Sequence, residues 1–394
     1  MGQLPSCFRT LARIVLSWFS SPQSTKLYNK AVDYFTSYLS SKNPDDLENA
    51  LSNYNLALEA GREERKFDPA DVLVNYAMAL WMKYEQDGQP PEILAKIVEF
   101  DEEALSLWRK ISPKPEDYPI LLFNLANAYF TQYASSDDLA LFESITQLCG
   151  ELGSMTGVKN ETRAKGLLIL GKALNTKCDR DKKTDHLDES IGLFVEALDL
   201  TKPSNKVEGS AEDTEDRIND LVALQIQVEC LYNLATAYEI RYQLTENKRP
   251  EDLDKAIQYN YDVKELIPND HPNRPSCLFN LARQLFTRYE SIQKEKAGGS
   301  VLLDVNLDIE RGVPDLKAAD KIAKEVRTLL SGADPSLGLR QNVDDLLMVI
   351  GKHEEALTKS SFNISGSRSS SRMEGRSRNP SPNPSQRSFH GSTA

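Results

Sequence analysis

Histidine and cysteine are scarce in this chain. The four histidines, His186, His271, His353 and His390, fall into no metal-ligand spacing with each other or with a cysteine. The five cysteines, Cys7, Cys149, Cys178, Cys230 and Cys277, are scattered singly and odd in number. That excludes a zinc motif and a disulfide framework, fits a reducing compartment, and leaves four of the five as small helix residues. Basic charge is also short: 47 Lys and Arg against 59 Asp and Glu give a net charge of −12. Bulk binding to nucleic acid needs a basic face that displaces counterions, so that class is set aside. No apolar run approaches the roughly 18 residues of a membrane span. Gly-x-Ser-x-Gly, His-Glu-x-x-His and calcium-loop patterns are absent. Gly166 to Gly171-Lys172 has the spacing of a phosphate-binding loop, but Ala173 stands where a hydroxyl would hold magnesium, and the segment reads as helix with no strand before it. The sequence therefore offers no catalytic residue, no cofactor loop, no metal site and no small-molecule substrate.

What the 394 residues do contain is a repeat. Leu231-Tyr232-Asn233-Leu234-Ala235 and Leu278-Phe279-Asn280-Leu281-Ala282 are nearly the same. Leu122-Phe123-Asn124-Leu125-Ala126 and Leu73-Val74-Asn75-Tyr76-Ala77 are further copies, Leu27-Tyr28-Asn29-Lys30-Ala31 is weaker, and Leu167 to Gly171 has lost the asparagine. Counted from Ala31, Ala77, Ala126, Gly171, Ala235 and Ala282, the spacings are 46, 49, 45, 64 and 47. Leucine stands four residues earlier in every copy, an aromatic or leucine three later, and tyrosine seven later in all but one, where Cys178 replaces it. Offsets −4, 0, +3 and +7 share one face of a 3.6-residue helix, which a strand of period two cannot imitate. After each such helix a polar loop leads to a second helical start: Pro44-Asp45-Asp46-Leu47, Leu187-Asp188-Glu189, and Pro250-Glu251-Asp252-Leu253. Proline and carboxylates suit a first turn, whose amides lack partners.

A helix with Leu-x-x-x-Ala-x-x-Tyr, followed by a second with alanine and an aliphatic residue, resembles the tetratricopeptide (TPR) family. The period is longer than the usual TPR unit of about 34 residues and is similar to long-period TPR-like arrays of fungal proteins. The resemblance covers residues 26–330. It implies an all-α, TPR-like helical-repeat solenoid of about six helix-turn-helix units, since stacked pairs bury faces that a lone pair cannot. Departures are expected at an acidic insertion near 203–216 and a long loop near 291–314. Residues 331–359 read as capping helices, with Gly351 to Leu357 resembling an inter-helix turn. From 360 to 394 the chain is Ser-, Arg- and Pro-rich, carries Arg368, Arg372, Arg376, Arg378 and Arg387, and is expected to be disordered. Its Ser381-Pro382 suits phosphorylation, or the tail is simply solvated.

In some TPR proteins a ladder of inner-helix asparagines grips an extended peptide, and a side-chain amide can meet one peptide unit through both donor and acceptor. The matching row here is Asn29, Asn75, Asn124, Asn233 and Asn280, about 170° from the apolar face. Ile169 breaks it in the fourth unit. Small residues at offset +2 (Ala79, Ala128, Ala173, Ala237) and cations at +6 (Lys83, Lys177, Arg241, Arg288) flank the row. Together they suggest a groove for a peptide or protein partner with acidic groups. The alternatives are asparagines that bridge neighbouring helices, and an array that works by self-association without a groove ligand.

Residues 1–25 form a segment of their own. Met1-Gly2-Gln3-Leu4-Pro5-Ser6 fits N-myristoylation at Gly2, and Cys7 suits palmitoylation as the second anchor a myristoyl chain requires. Phe8, Leu11, Ala12, Val15, Trp18 and Phe19 share one helical face, with Arg9 and Arg13 opposite. Three readings stay open: a peripheral membrane anchor on a cytoplasmic scaffold, a mitochondrial presequence, and a cap packed on the first repeat.

Overall fold

The structure is a computed structural model that describes residues 22–62, 64, 68–136, 138–202, 214–246, 248–298, 305–331 and 337–373. Gly2, Cys7, the amphipathic stretch 8–20, most of the acidic insertion and residues 374–394 lie outside these. The described residues form thirteen α-helices and no strand. The chain divides into two compact units, Met1–His271 and Pro272–Ala394. The first contains α1 (Gln23–Ser41), α2 (Pro44–Gly61), α3 (Ala70–Gln86), α4 (Pro91–Trp108), α5 (Tyr118–Ser135), α6 (Leu139–Ser154), α7 (Asn160–Asp181), α8 (Leu187–Leu200), α9 (Thr214–Leu244) and α10 (Pro250–Leu266). The second contains α11 (Arg274–Gly298), α12 (Val305–Leu329) and α13 (Leu337–Met373).

Each odd-numbered helix up to α11 packs against the even-numbered one after it, giving six antiparallel-type helical pairs. The repeat explains why. Ala31, Ala77, Ala126, Ala235 and Ala282 are buried, as are Tyr38, Tyr84, Tyr133, Cys178, Tyr242 and Tyr289 seven residues on. In the first unit, consecutive pairs share their cores. One apolar cluster joins α1 to α4 and takes Ala128 from α5. A second runs from Ala70 of α3 to Ala173 of α7, and a third from α7 to α10. Rings of Tyr28, Tyr54, Tyr76 and Phe100 follow one another through α1, α2, α3 and α4, with centroids 6.2, 5.8 and 4.9 Å apart.

The helix starts follow the local chemistry. α2 opens on Pro44, with the Asn43 side chain accepting from the Asp45 amide, and α8 opens on Leu187 and α10 on Pro250. Gly166 and Gly171 are packing residues: a Cβ on Gly166 would meet Leu152 Cδ2 at 2.6 Å, and one on Gly171 would meet Phe194 Cε1 at 2.5 Å. Glycine here allows close helix approach, which accounts for the phosphate-loop spacing without a phosphate.

Three expectations are corrected in the second unit. The long loop at 291–314 is helix on both sides of residues 299–304, because Gln293 to Lys296 are helix formers, and α12 accommodates Pro314 within its length. Gly351 to Leu357 is no turn; it lies inside α13, with His353 edge-on to Phe286 and Tyr289 of α11 at 5.4 Å. Capping is thus by one helix, packed on α12 and α11. That helix also continues to Met373, past residue 360, where the tail was expected to begin. No proline before Pro380 stops it.

A candidate peptide groove in the first unit

An open groove of about 360 Å³ runs across the first unit, lined by side chains of α1, α3, α4, α5, α7 and α9. Its wall is mostly apolar. Leu39 and Met78 are 46% and 39% exposed, and Trp81, Met82 and Phe123 are half-buried beside them. Asn124, Asn127 and Gln225 supply amides. Among the described residues Lys165 is the one cation in the lining, and its ammonium lies over the Phe123 ring, 5.4 Å from the centroid. The Trp81 indole donates to Glu85 at 3.0 Å.

Of the asparagine row, the groove takes only Asn124. Asn75 donates to the Tyr28 hydroxyl at 3.0 Å and to the Asp71 carbonyl at 2.9 Å, so it bridges α3 to α1. Asn233 donates to the Glu229 carbonyl at 2.7 Å, one turn back in its own helix. Asn29 is exposed on α1, and Asn280 is half-buried on α11 of the second unit. The small residues Ala79, Ala128, Ala173 and Ala237 are fully buried, so their size serves helix packing and not an open groove.

Three of the cations at offset +6 also make ion pairs within the chain. Lys83 pairs with Glu48 at 2.5 Å and Asp87 at 3.2 Å. Arg241 grips Asp252 through two bonds, at 2.6 and 3.0 Å, and also pairs with Asp188. Arg288 holds Asp315 through two bonds of 2.8 Å. In the first pair Ser37 occupies this offset and donates to Asp46 at 2.7 Å. Asp46 and Asp252 each precede the first leucine of a second helix, Leu47 and Leu253, whereas Asp315 lies within α12, ahead of Leu316. At Ser37 and Arg241 the +6 position ties one helix to the start of the next, where a carboxylate also meets the amide-rich terminus, while Lys83 reaches back to Glu48 of α2 and Arg288 to the interior of α12. Lys177 lies over the Phe142 ring at 4.5 Å. Lys83, Arg241 and Arg288 thus each meet a carboxylate of the chain itself.

Sequence reasoning missed the charged residue that does border the groove. Asp101 sits on the inward face of α4, among Leu94, Ile97, Ala104, Leu105 and Trp108. It is 0% exposed, and neither carboxyl oxygen has a hydrogen-bond partner. Loss of water pushes its carboxyl well above the usual range. Counted from the proline that opens each helix, its equivalents are Tyr54 in α2 and Asn260 in α10. The signal was available: a lone carboxylate on the apolar stripe of an amphipathic helix is a misfit. The Met78-x-x-Trp81-Met82 cluster was a second signal, lying one turn along from the asparagine that drew attention. Among the described residues no group of His, Cys, Asp and Glu is placed to hold a metal ion, and no helix is long and apolar enough to cross a membrane.

Six register-matched helical pairs with buried Leu, Ala and Tyr columns define an all-α protein of TPR-like helical repeats. No known family profile and no curated protein matches the chain. Among solved structures it is similar to a putative kinesin light chain from Podosopora anserina described as having nearly identical TPR-like repeats. The two are 14% identical, with 68% of this chain and 99% of that one covered and a TM-score of 0.39. It is also similar to BtubC (BKLC) from P. vanneervenii, at 13% identity, 80% and 93% coverage and a TM-score of 0.39. The S. pombe nuclear import adaptor Nro1 gives 14% identity, 82% and 99% coverage and a TM-score of 0.42. Those superpositions are loose, and the class rests on this chain's own repeats.

Proposed function

We propose that the chain is a non-catalytic interaction scaffold that holds an extended peptide segment of a protein partner in the groove of its first unit. The observation that carries this reading is the exposed apolar wall of Leu39, Met78, Trp81 and Phe123 set beside unbonded amides at Asn124 and Asn127. Apolar side chains of a ligand would fill the Met and Trp surface, while the amides meet its backbone. Methionine suits such a wall because its unbranched side chain re-packs around different ligands.

The test begins with nine-residue peptides selected from a random display library on the immobilised full chain. Their affinity is then measured for the parent, Trp81→Ala, the double variant Asn124→Ala with Asn127→Ala, and Lys352→Ala as a control in the second unit. The expected result is a loss of tenfold or more for Trp81→Ala, about 1.4 kcal/mol or above. A smaller loss is expected for the amide pair, and none for the control. Affinity unchanged in both groove variants would remove the reading.

Tethering by acylation of Gly2 and Cys7 is a separate proposal that rests on the sequence pattern alone. The mass of the N-terminal peptide from protein made in its own host tests it. A myristoyl adduct on Gly2 supports an anchor, an unmodified or acetylated start removes it, and a start near residue 20–30 indicates a cleaved presequence.

A further inference from the structure

Asp101 is a buried acid whose two oxygens lack a hydrogen-bond partner, at a position where its α2 equivalent Tyr54 also buries an unpartnered oxygen. Other acids in the helices are paired: Glu48 with Lys83, Asp252 with Arg241, Asp315 with Arg288. Asp101 alone stands on an apolar helix face, fully buried, with both oxygens unbonded, and it borders the groove. A carboxyl desolvated without a partner is unfavourable. Lys165, a cation in the lining, lies over the Phe123 ring and makes no hydrogen bond to Asp101. A positive group beside this carboxyl would favour its ionised form and offset the loss of water.

We propose that the ligand of the groove carries a basic side chain, an arginine guanidinium or lysine ammonium flanked by apolar residues, and inserts it against the carboxyl of Asp101. This rests on the groove reading above and reverses the sign of the partner that the repeated cations suggested. The apolar stem of Arg or Lys packs along Met78, Met82 and Trp81 while its head reaches the acid, and an indole beside the path favours a cation further. A charge-assisted bond in a water-poor site is stronger than a neutral one, so Asp101 supplies selectivity and the apolar wall supplies adhesion. The methionines of the wall are the groups that move aside, since the acid itself is closed to water in the free protein.

The experiment uses the full chain and five pools of fluorescent nine-residue peptides. Their central residue is fixed as Arg, Lys, Gln, Leu or Glu, and the flanks are drawn from Leu, Phe, Met and Ser. Affinities are read by polarisation for the parent, Asp101→Asn, Asp101→Leu and Trp81→Ala, each checked for an unchanged helical spectrum. The expected result is that the Arg or Lys pool binds the parent about tenfold or more tightly than the Leu and Glu pools. The preference should shrink below about threefold in Asp101→Asn and vanish in Asp101→Leu. Binding of the Gln and Leu pools stays within about twofold in both Asp101 variants. A parent that binds all pools alike, or a preference for Arg that survives in Asp101→Leu, overturns the inference. If Trp81→Ala still weakens every pool in that case, the groove stands and only its charge selectivity falls. If no pool binds and Trp81→Ala changes nothing, the groove and the inference fall together.

Discussion

Asp101 and Gly171 show how much a single residue constrains this fold. The Asp101 carboxyl keeps its proton in the native state, well above the ordinary value of 3.8, because burial disfavours the anion. Above pH 3.8 the unfolded chain has released that proton and the native chain has not. Stability therefore falls as pH rises from the unfolded value toward the native one, and the penalty is complete above it. Asp101→Asn removes this slope, so its melting temperature should exceed the parent's at pH 8 and converge with it near pH 4; a constant offset across that range would contradict the account. Gly171 makes the opposite kind of prediction. A methyl group there would collide with Phe194, itself 0% exposed, so Gly171→Ala should destabilise by about 1–3 kcal/mol in urea unfolding. At this scale the sequence was read unevenly. The leucine, alanine and tyrosine columns were legible because burial repeats with the helix period. Gly171 was recognised as a repeat position but not as a contact, because the neighbour that fills its space stands 23 residues away in another helix. Asp101 was passed over because one carboxylate among 59 acidic residues looks like solvated surface until its helix face is known.

Elements were legible where the chemistry of their ends is local. Pro44, Leu187 and Pro250 were read as starts, and helices begin on each, since proline and carboxylates suit the first turn wherever it occurs. Ends defined by tertiary packing were not. Gly351 looked like a turn, yet α13 passes straight through it, held by His353 against the rings of α11. A glycine in a helix costs only about 1 kcal/mol, which such packing offsets. The cation column was legible as a repeat, but periodicity gives the direction of a side chain and not the acid it meets, and Lys83, Arg241 and Arg288 meet acids of their own chain. Its structural role is testable. Arg241 bridges the starts of α8 and α10, and the Asp252 side chain it holds is 4% exposed. Arg241→Ala should cost about 3–5 kcal/mol, as expected when a buried carboxylate loses its partner. Arg241→Ala with Asp252→Leu should recover much of that, and a double variant no better than the single one would argue for a solvated acid.

At the scale of the first unit, cores shared from pair to pair mean that each helical pair depends on its neighbours more than on distant ones. Cys149, Cys178, Cys230 and Cys277 fall one each in α6, α7, α9 and α11, hence in the third, fourth, fifth and sixth pairs, and all four are buried. Burial pushes the thiols of Cys149 and Cys230 up to about 12 and that of Cys277 to about 11, and raises Cys178 as well. At neutral pH these sulfurs are inert until their pair opens. The protein thus carries four native stopwatches. The rate at which a maleimide reaches each sulfur clocks the opening of one pair, and a peptide seated across the groove walls of α5 and α7 should slow the clocks at Cys149 and Cys178 first.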